Sequence, residues 1–139
     1  MFYSLEGIWE AKLDDGTRYA MRLPGTLDEN GIGHRDTGAN QWHPDAGLGN
    51  AGADFDPDAP IATRFTRKYT YEGAVEISRS ITYTPPEGKR VFLEAERARC
   101  LRLLVDGREV FPVEETSIST PYVFEVTGLL GGKNTLTLI

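Results

Sequence analysis

The chain has 139 residues and a mass of 15.4 kDa, enough for one domain with a buried core but short of the about 250 residues of a (β/α)₈ barrel. With 15 Lys and Arg against 21 Asp and Glu the net charge is -6, which argues against a nucleic-acid backbone as partner, because that affinity needs clustered cations. Hydrophobic residues at 40% and charged residues at 26% are globular proportions, and no run approaches the roughly 20 apolar residues of a membrane span.

In chain order, Ile8 to Leu13 and Arg18 to Leu23 alternate with period two around Asp14-Asp15-Gly16, which predicts a hairpin. From Pro24 to about Ala62 the periodicity fails: six aspartates occur between Asp28 and Asp58, and glycine recurs at 25, 31, 33, 38, 47, 49 and 52. Loops of more than about 12–15 residues are uncommon in compact domains unless they are functional or disordered. We expect a partly ordered loop reaching over a neighbouring surface, with a ligand-free surface excursion as the alternative. Both histidines, His34 and His43, and Trp42 lie in it.

Val75, Ile77, Ile81 and Tyr83 share one face of a strand that Arg79 interrupts, and Pro85-Pro86-Glu87-Gly88 closes it with turn chemistry. Val91, Leu93 and Ala95 alternate with Phe92, Glu94 and Glu96. Leu101, Leu103 and Val105 run into Asp106-Gly107, a hairpin dipeptide. Val110 and Val113 flank Pro112 in a short edge strand; Tyr122, Phe124 and Val126 follow, then a Gly131-Gly132 turn and Leu136 and Leu138. Many short strands with frequent turns predict an all-β sandwich or jelly roll in a single domain over 1–139. The apolar ending Leu136-Thr137-Leu138-Ile139 suggests a piece of a longer protein, a docked C-terminal strand being the alternative.

The chemical constellations are sparse. Glu94 and Glu96 on a strand would sit about 6.6 Å apart, inside the about 6.5–9.5 Å of an inverting glycosidase pair, but alternating glutamates more simply mark a solvated face neutralised by Arg97 and Arg99. Asp54, Asp56 and Asp58 could supply oxygens to a hard cation, although Ala59 and Phe65 stand where a calcium loop needs Gly and Glu. His34 and His43 are nine residues apart with no helical spacing, which disfavours zinc. Cys100 is expected to be an inert packing residue, and it leaves the compartment open. No nucleophile elbow or phosphate loop occurs, and no cofactor is expected.

Several motifs in order resemble a known family. Gly7-Ile8-Trp9, Leu23-Pro24-Gly25-Thr26-Leu27-Asp28, Tyr71-Glu72-Gly73-Ala74, Val105-Asp106-Gly107, Pro121-Tyr122-Val123-Phe124-Glu125-Val126-Thr127 and Gly132-Lys133-Asn134-Thr135-Leu136 are similar to the N-terminal sugar-binding domain of glycoside hydrolase family two, the family of many β-galactosidases, β-glucuronidases and β-mannosidases. The resemblance implies a galactose-binding-like jelly roll followed by immunoglobulin-like and catalytic barrel domains. The catalytic glutamates would lie in the barrel, so none here is carried over. The sequence departs from the family at Glu76-Ile77 and at Glu96-Arg97.

The run Pro60-Ile61-Ala62-Thr63-Arg64 is similar to the β-galactosidase loop whose Asn reaches the active site, with Arg64 in place of the amide. The resemblance thus implies Arg64 as a carbohydrate-contacting candidate and a carbohydrate substrate met through the parent enzyme, and Trp42 and His43 join it as candidates from the long loop; the alternative is that the loop does not contribute. Trp9, Asp106-Gly107, Thr127 and Asn134 read as fold determinants. A stand-alone carbohydrate-binding module, with Trp42, Tyr69 and Tyr71 as candidate aromatics, and a purely structural sandwich are the competing classes.

Overall fold

The computed structural model describes residues 2–35, 68–114 and 120–139. Its elements are β1 (Gly7–Leu13), β2 (Arg18–Leu23), β3 (His34–Arg35), β4 (Tyr69–Thr70), β5 (Val75–Tyr83), β6 (Phe92–Ala95), β7 (Leu103–Val105), β8 (Arg108–Val110), β9 (Tyr122–Glu125) and β10 (Gly132–Leu138). No helix occurs among the described residues, and every strand pairing is antiparallel. The chain forms two compact units, Met1–Pro24 with Gly73–Ile139, and Gly25–Glu72.

The larger unit holds a six-stranded sheet in the order β2-β1-β5-β10-β7-β8 and a two-stranded sheet of β6 and β9. Alternation decides which side chains turn inward. Trp9, Ala11 and Leu13 of β1 are buried while Ile8 and Glu10 are exposed. Trp9, Ile81, Leu103, Val105 and Leu136 from the large sheet share one core with Leu93, Tyr122, Phe124 and Val126. Two antiparallel sheets closed on a common core are consistent with a β-sandwich. Burying side chains such as Phe124 and Leu103, both fully inaccessible, contributes about 1.5–3 kcal/mol each.

Both expected hairpins form. At the first, Gly16 N donates to Leu13 O at 3.0 Å, Leu13 N to Thr17 O at 2.9 Å, and Thr17 N to Asp15 Oδ1 at 2.8 Å. At the second, Asp106 and Gly107 have φ of 49° and 80°, and two positive values make the type I′ turn whose twist suits a two-residue hairpin. The last strand, β10, lies in the middle of the sheet between β5 and β7, with Leu136 opposite both Arg79 and Val105.

Arg79 sits on the inward-facing side of β5, where the alternation calls for an apolar residue. Its long stem lets the guanidinium reach the rim. There Nη1 donates to Leu5 O at 3.1 Å and Glu6 O at 2.9 Å, and the group lies 5.9 Å from the Trp9 ring centroid, within cation–π range. The Trp9 indole Nε1 donates to the same Leu5 carbonyl at 2.9 Å. These three bonds fix the segment that enters β1.

The described part of the smaller unit, residues 25–35 and 68–72, is ordered by local hydrogen bonds. Thr26 and Glu29 form a reciprocal capping box, with Glu29 N donating to Thr26 Oγ1 at 3.1 Å and Thr26 N to Glu29 Oε2 at 2.8 Å. Ile32 N to Leu27 O and Gly31 N to Asp28 O, both 2.9 Å, close the turn in a Schellman pattern. Asp28 Oδ1 then accepts from Lys68 N and Tyr69 N, both at 2.8 Å, at the start of β4. The two-residue strands β3 and β4 pair His34 with Thr70 and Arg35 with Tyr69. Part of the segment expected as an aperiodic loop is therefore a capped turn and a strand.

Candidate functional site

The expected carbohydrate contacts Trp42, His43 and Arg64, and the cation candidates Asp54, Asp56 and Asp58, lie outside the described residues. Among the described residues no group of three or more His, Cys, Asp or Glu side chains converges to hold a metal ion. His34 is exposed on β3.

Two expectations are corrected. β6 ends at Ala95, and Arg97 follows with a φ of 58°, so Glu96 is off the strand and the spacing argument for Glu94 and Glu96 fails. Neither glutamate is ion-paired with Arg97 or Arg99 among the described residues. Cys100 is exposed in the connection from β6 to β7 rather than packed in a strand. Of its arginine neighbours, Arg102 is engaged by Glu109 through Nε to Oε1 at 2.8 Å and Nη2 to Oε2 at 3.1 Å.

One concave feature of the larger unit is a cleft of about 630 Å³, within the usual range for small-molecule sites. Its floor is core: Ile81 of β5, Leu93 of β6, Leu136 of β10, and Val126, which follows β9, line it. One wall is the entering segment, with Phe2, Tyr3 and Leu5. Tyr3 packs on Tyr83 with ring centroids 5.1 Å apart and a 47° tilt, and the Arg79 and Trp9 bonds to Leu5 hold this wall from behind.

The opposite wall follows from the end of β5. Pro85 and Pro86 cannot continue a paired strand, and the chain turns, with Lys89 N donating to Pro86 O at 3.2 Å. This turn presents Lys89 and Arg90 to the cleft, and β6 adds Phe92 and Glu94 from its outward face. Phe92 is 46% exposed although it is a large apolar residue.

Arg90 is fixed. It grips the Glu125 carboxylate with both arms, Nε to Oε1 at 2.9 Å and Nη2 to Oε2 at 2.7 Å, and its guanidinium lies 4.9 Å from the Phe92 ring centroid. Thr127 Oγ1 donates to Glu125 Oε1 at 2.9 Å and accepts from Val91 N at 2.9 Å. The Arg90 bonds first, and the Thr127 bond second, hold the Glu125 carboxyl down to about 2. Lys89 and Glu94 have no such partner side chain among the described residues.

The cleft brings aromatic rings, one ammonium and one carboxylate together with apolar core residues. Among the described residues no buried side-chain nitrogen or oxygen lacks a hydrogen-bond partner. From the sequence, Phe92 stands only in the outward half of an alternating strand, Glu94 is also weighed with Glu96 as a carboxylate pair, and Tyr3 and Lys89 have no role. The available signal was a phenylalanine on that outward face, where a polar residue is the default. No protein-family model matches the chain, and no curated protein matches it.

Proposed function

We propose that the chain is a non-catalytic, galactose-binding-like jelly-roll domain of a retaining glycoside hydrolase of family two, β-galactosidase-like, whose catalytic carboxylates lie in a barrel of the same polypeptide. The observation that carries the reading is the convergence of separate motifs. Asp106 of Val105-Asp106-Gly107 receives Asn134 Nδ2 at 2.6 Å and Thr135 N at 2.7 Å, both from Gly132-Lys133-Asn134-Thr135-Leu136. Trp9 of Gly7-Ile8-Trp9 is in the core, and Asp28 of the Leu23–Asp28 motif anchors the backbone at Tyr69. Four of the six motifs thus have a structural task, as expected of fold determinants in a supporting domain.

In this reading the domain packs on immunoglobulin-like and barrel domains. Trp42, His43 and Arg64 lend contacts to the sugar pocket of the parent enzyme. The test is hydrolysis of nitrophenyl β-glycosides by the isolated chain and by the longer polypeptide that carries it. Turnover only by the longer protein supports the reading, and turnover by the isolated chain overturns it. The aromatic cleft favours a second reading, a carbohydrate-binding module in its own right.

A further inference from the structure

We infer that the chain pairs with a second copy of itself along the open edge of β6, the two runs Arg90-Val91-Phe92-Leu93-Glu94 lying antiparallel about a twofold axis at Phe92. The inference goes beyond the parent-enzyme reading and does not rest on it, because every group it uses belongs to one compact unit of this chain.

Among the described residues β6 pairs with β9 alone. Val126 N donates to Val91 O at 2.9 Å, and Leu93 and Ala95 stand opposite Phe124 and Tyr122. Alternation therefore turns the backbone groups of Val91, Leu93 and Ala95 toward β9 and those of Arg90, Phe92 and Glu94 away from it. The cleft runs along this second side. It is lined by Phe92 and Glu94 from the outward face of β6 and by Leu93 from the inward face, and side chains of both faces meet one cavity only past the edge of a strand. N–H and C=O groups at such an edge are a template for another strand.

The edges of the six-stranded sheet are guarded. β2 carries Arg18 and Arg22, and β8 is three residues long and soon followed by Pro112, features that discourage pairing. β6 has no Lys, Arg or Pro between Phe92 and Ala95, and it presents Phe92 at 46% exposure.

The sequence of the edge selects a second copy. Laid antiparallel on itself about Phe92, the run sets Arg90 opposite the partner's Glu94, Val91 opposite the partner's Leu93, and Phe92 opposite the partner's Phe92. Each facing pair is then opposite in charge or apolar on both sides, the combinations that stabilise antiparallel strands. Parity agrees, because Arg90, Phe92 and Glu94 are the residues whose backbone groups point outward. A slip of two residues sets Phe92 against Arg90 or Glu94 and loses the match. Glu94 has no partner side chain among the described residues, and Arg90 bonds Glu125 through Nε and Nη2, which leaves Nη1 to donate across the axis. The same patch thus serves both copies, as a twofold interface requires.

The experiment is sedimentation velocity of the 139-residue chain over about 5–500 μM, with amide hydrogen exchange at both ends of that range. The expected result is a reversible dimer with Kd of about 10–100 μM, the weak affinity of a small interface. Exchange at Phe92 and Glu94 should slow at the higher concentration, while Leu93 and Ala95, already bonded to β9, stay unchanged. Glu94→Arg sets like charges opposite each other on both sides of the axis and should weaken the dimer at least about tenfold. Arg90→Glu should do the same. An equimolar mixture of the two variants restores opposite charges at every facing pair and should form a heterodimer within about threefold of the parent Kd.

Glu94→Arg changes an exposed side chain and keeps the Arg90–Glu125 pair, so it reads the interface even if Arg90→Glu disturbs the turn. A chain that stays monomeric up to about 500 μM leaves the edge to a strand from another protein or another part of the polypeptide, and overturns the proposal. So does a dimer that Glu94→Arg leaves unchanged, or one whose added protection falls on β2 or β8. Failure of the mixture to associate, with both variants folded by thermal melts, overturns it as well.

Discussion

The Asp106 carboxylate accepts a 2.6 Å hydrogen bond from the Asn134 side-chain amide and thereby ties the β7–β8 turn to the strand at the centre of the sheet. Asn134 is the buried polar residue of the described core at 7% exposure. Its Oδ1 accepts from Gly131 N at 2.9 Å, and Nδ2 also reaches Leu129 O at 3.3 Å. Replacing Asn134 by Ala removes the bonds to Gly131 N, Leu129 O and Asp106, which keeps only the one from Thr135 N. A loss of about 2–3 kcal/mol in urea unfolding is expected, with Asn134→Asp also destabilising because it sets two carboxylates against each other.

Acid should unfold the protein partly through two carboxylates. Glu125 sits near 2 rather than 4.5, chiefly through its Arg90 hydrogen bonds, and Asp106 lies below 3.8, chiefly through the Thr135 N–H and then the Asn134 amide. Folded values below unfolded ones mean that the stabilisation is present above the unfolded pKa and is lost as pH falls through the folded one. Thermal melts should therefore drop between about pH 4.5 and 2. Glu125→Gln should flatten that part of the profile; an unchanged acid limb would show that the Arg90–Glu125 pair does not contribute.

Arg79 holds the entering segment by Leu5 O and Glu6 O. Arg79→Met keeps the apolar stem and removes both bonds, with an expected cost of about 1–2 kcal/mol. Hydrogen exchange at residues 3–7 should accelerate while β10 stays protected. Equal acceleration in both places would assign Arg79 to the global fold instead.

In the smaller unit Gly33 has a φ of 117°, and a Cβ there would stand 2.9 Å from the Thr70 carbonyl carbon. Gly33→Ala should lose the β3–β4 pairing and cost about 1–3 kcal/mol locally. NMR shifts confined to His34, Arg35, Tyr69 and Thr70 are the readout; retained strand shifts at Thr70 would contradict the close approach.

Local chemistry made much of the fold readable. Asp106-Gly107 and Asp14-Asp15-Gly16 announced their hairpins, and alternation placed Leu103, Val105, Tyr122 and Phe124 inward. The sheet order was not readable, because β10 enters between β5 and β7 through pairings such as Lys133 with Thr82, and register between distant segments leaves no local mark. The β3–β4 pair was missed because two residues cannot show a period. The Thr26-x-x-Glu29 box was present as a sequence signature but caps a single turn rather than a helix. Cys100 was misplaced because Leu101 and Leu103 suggested a strand running through it.

The cleft was hidden for a different reason. Tyr3, Tyr83, Lys89 and Phe92 come from the entering segment, a strand end, a turn and the outward face of a strand, and they line one cleft only in the folded chain. Arg79 itself looked like a flaw in an apolar face. Its role depends on the Leu5 and Glu6 carbonyls, 74 and 73 residues away in sequence.

The central claim is that this chain is a non-catalytic domain of a longer glycosidase. The most direct measurement is hydrolysis of nitrophenyl β-glycosides by the isolated 139-residue chain and by the longer polypeptide that carries it. The account predicts turnover by the longer polypeptide and none by the isolated chain. Turnover by the isolated chain would contradict it.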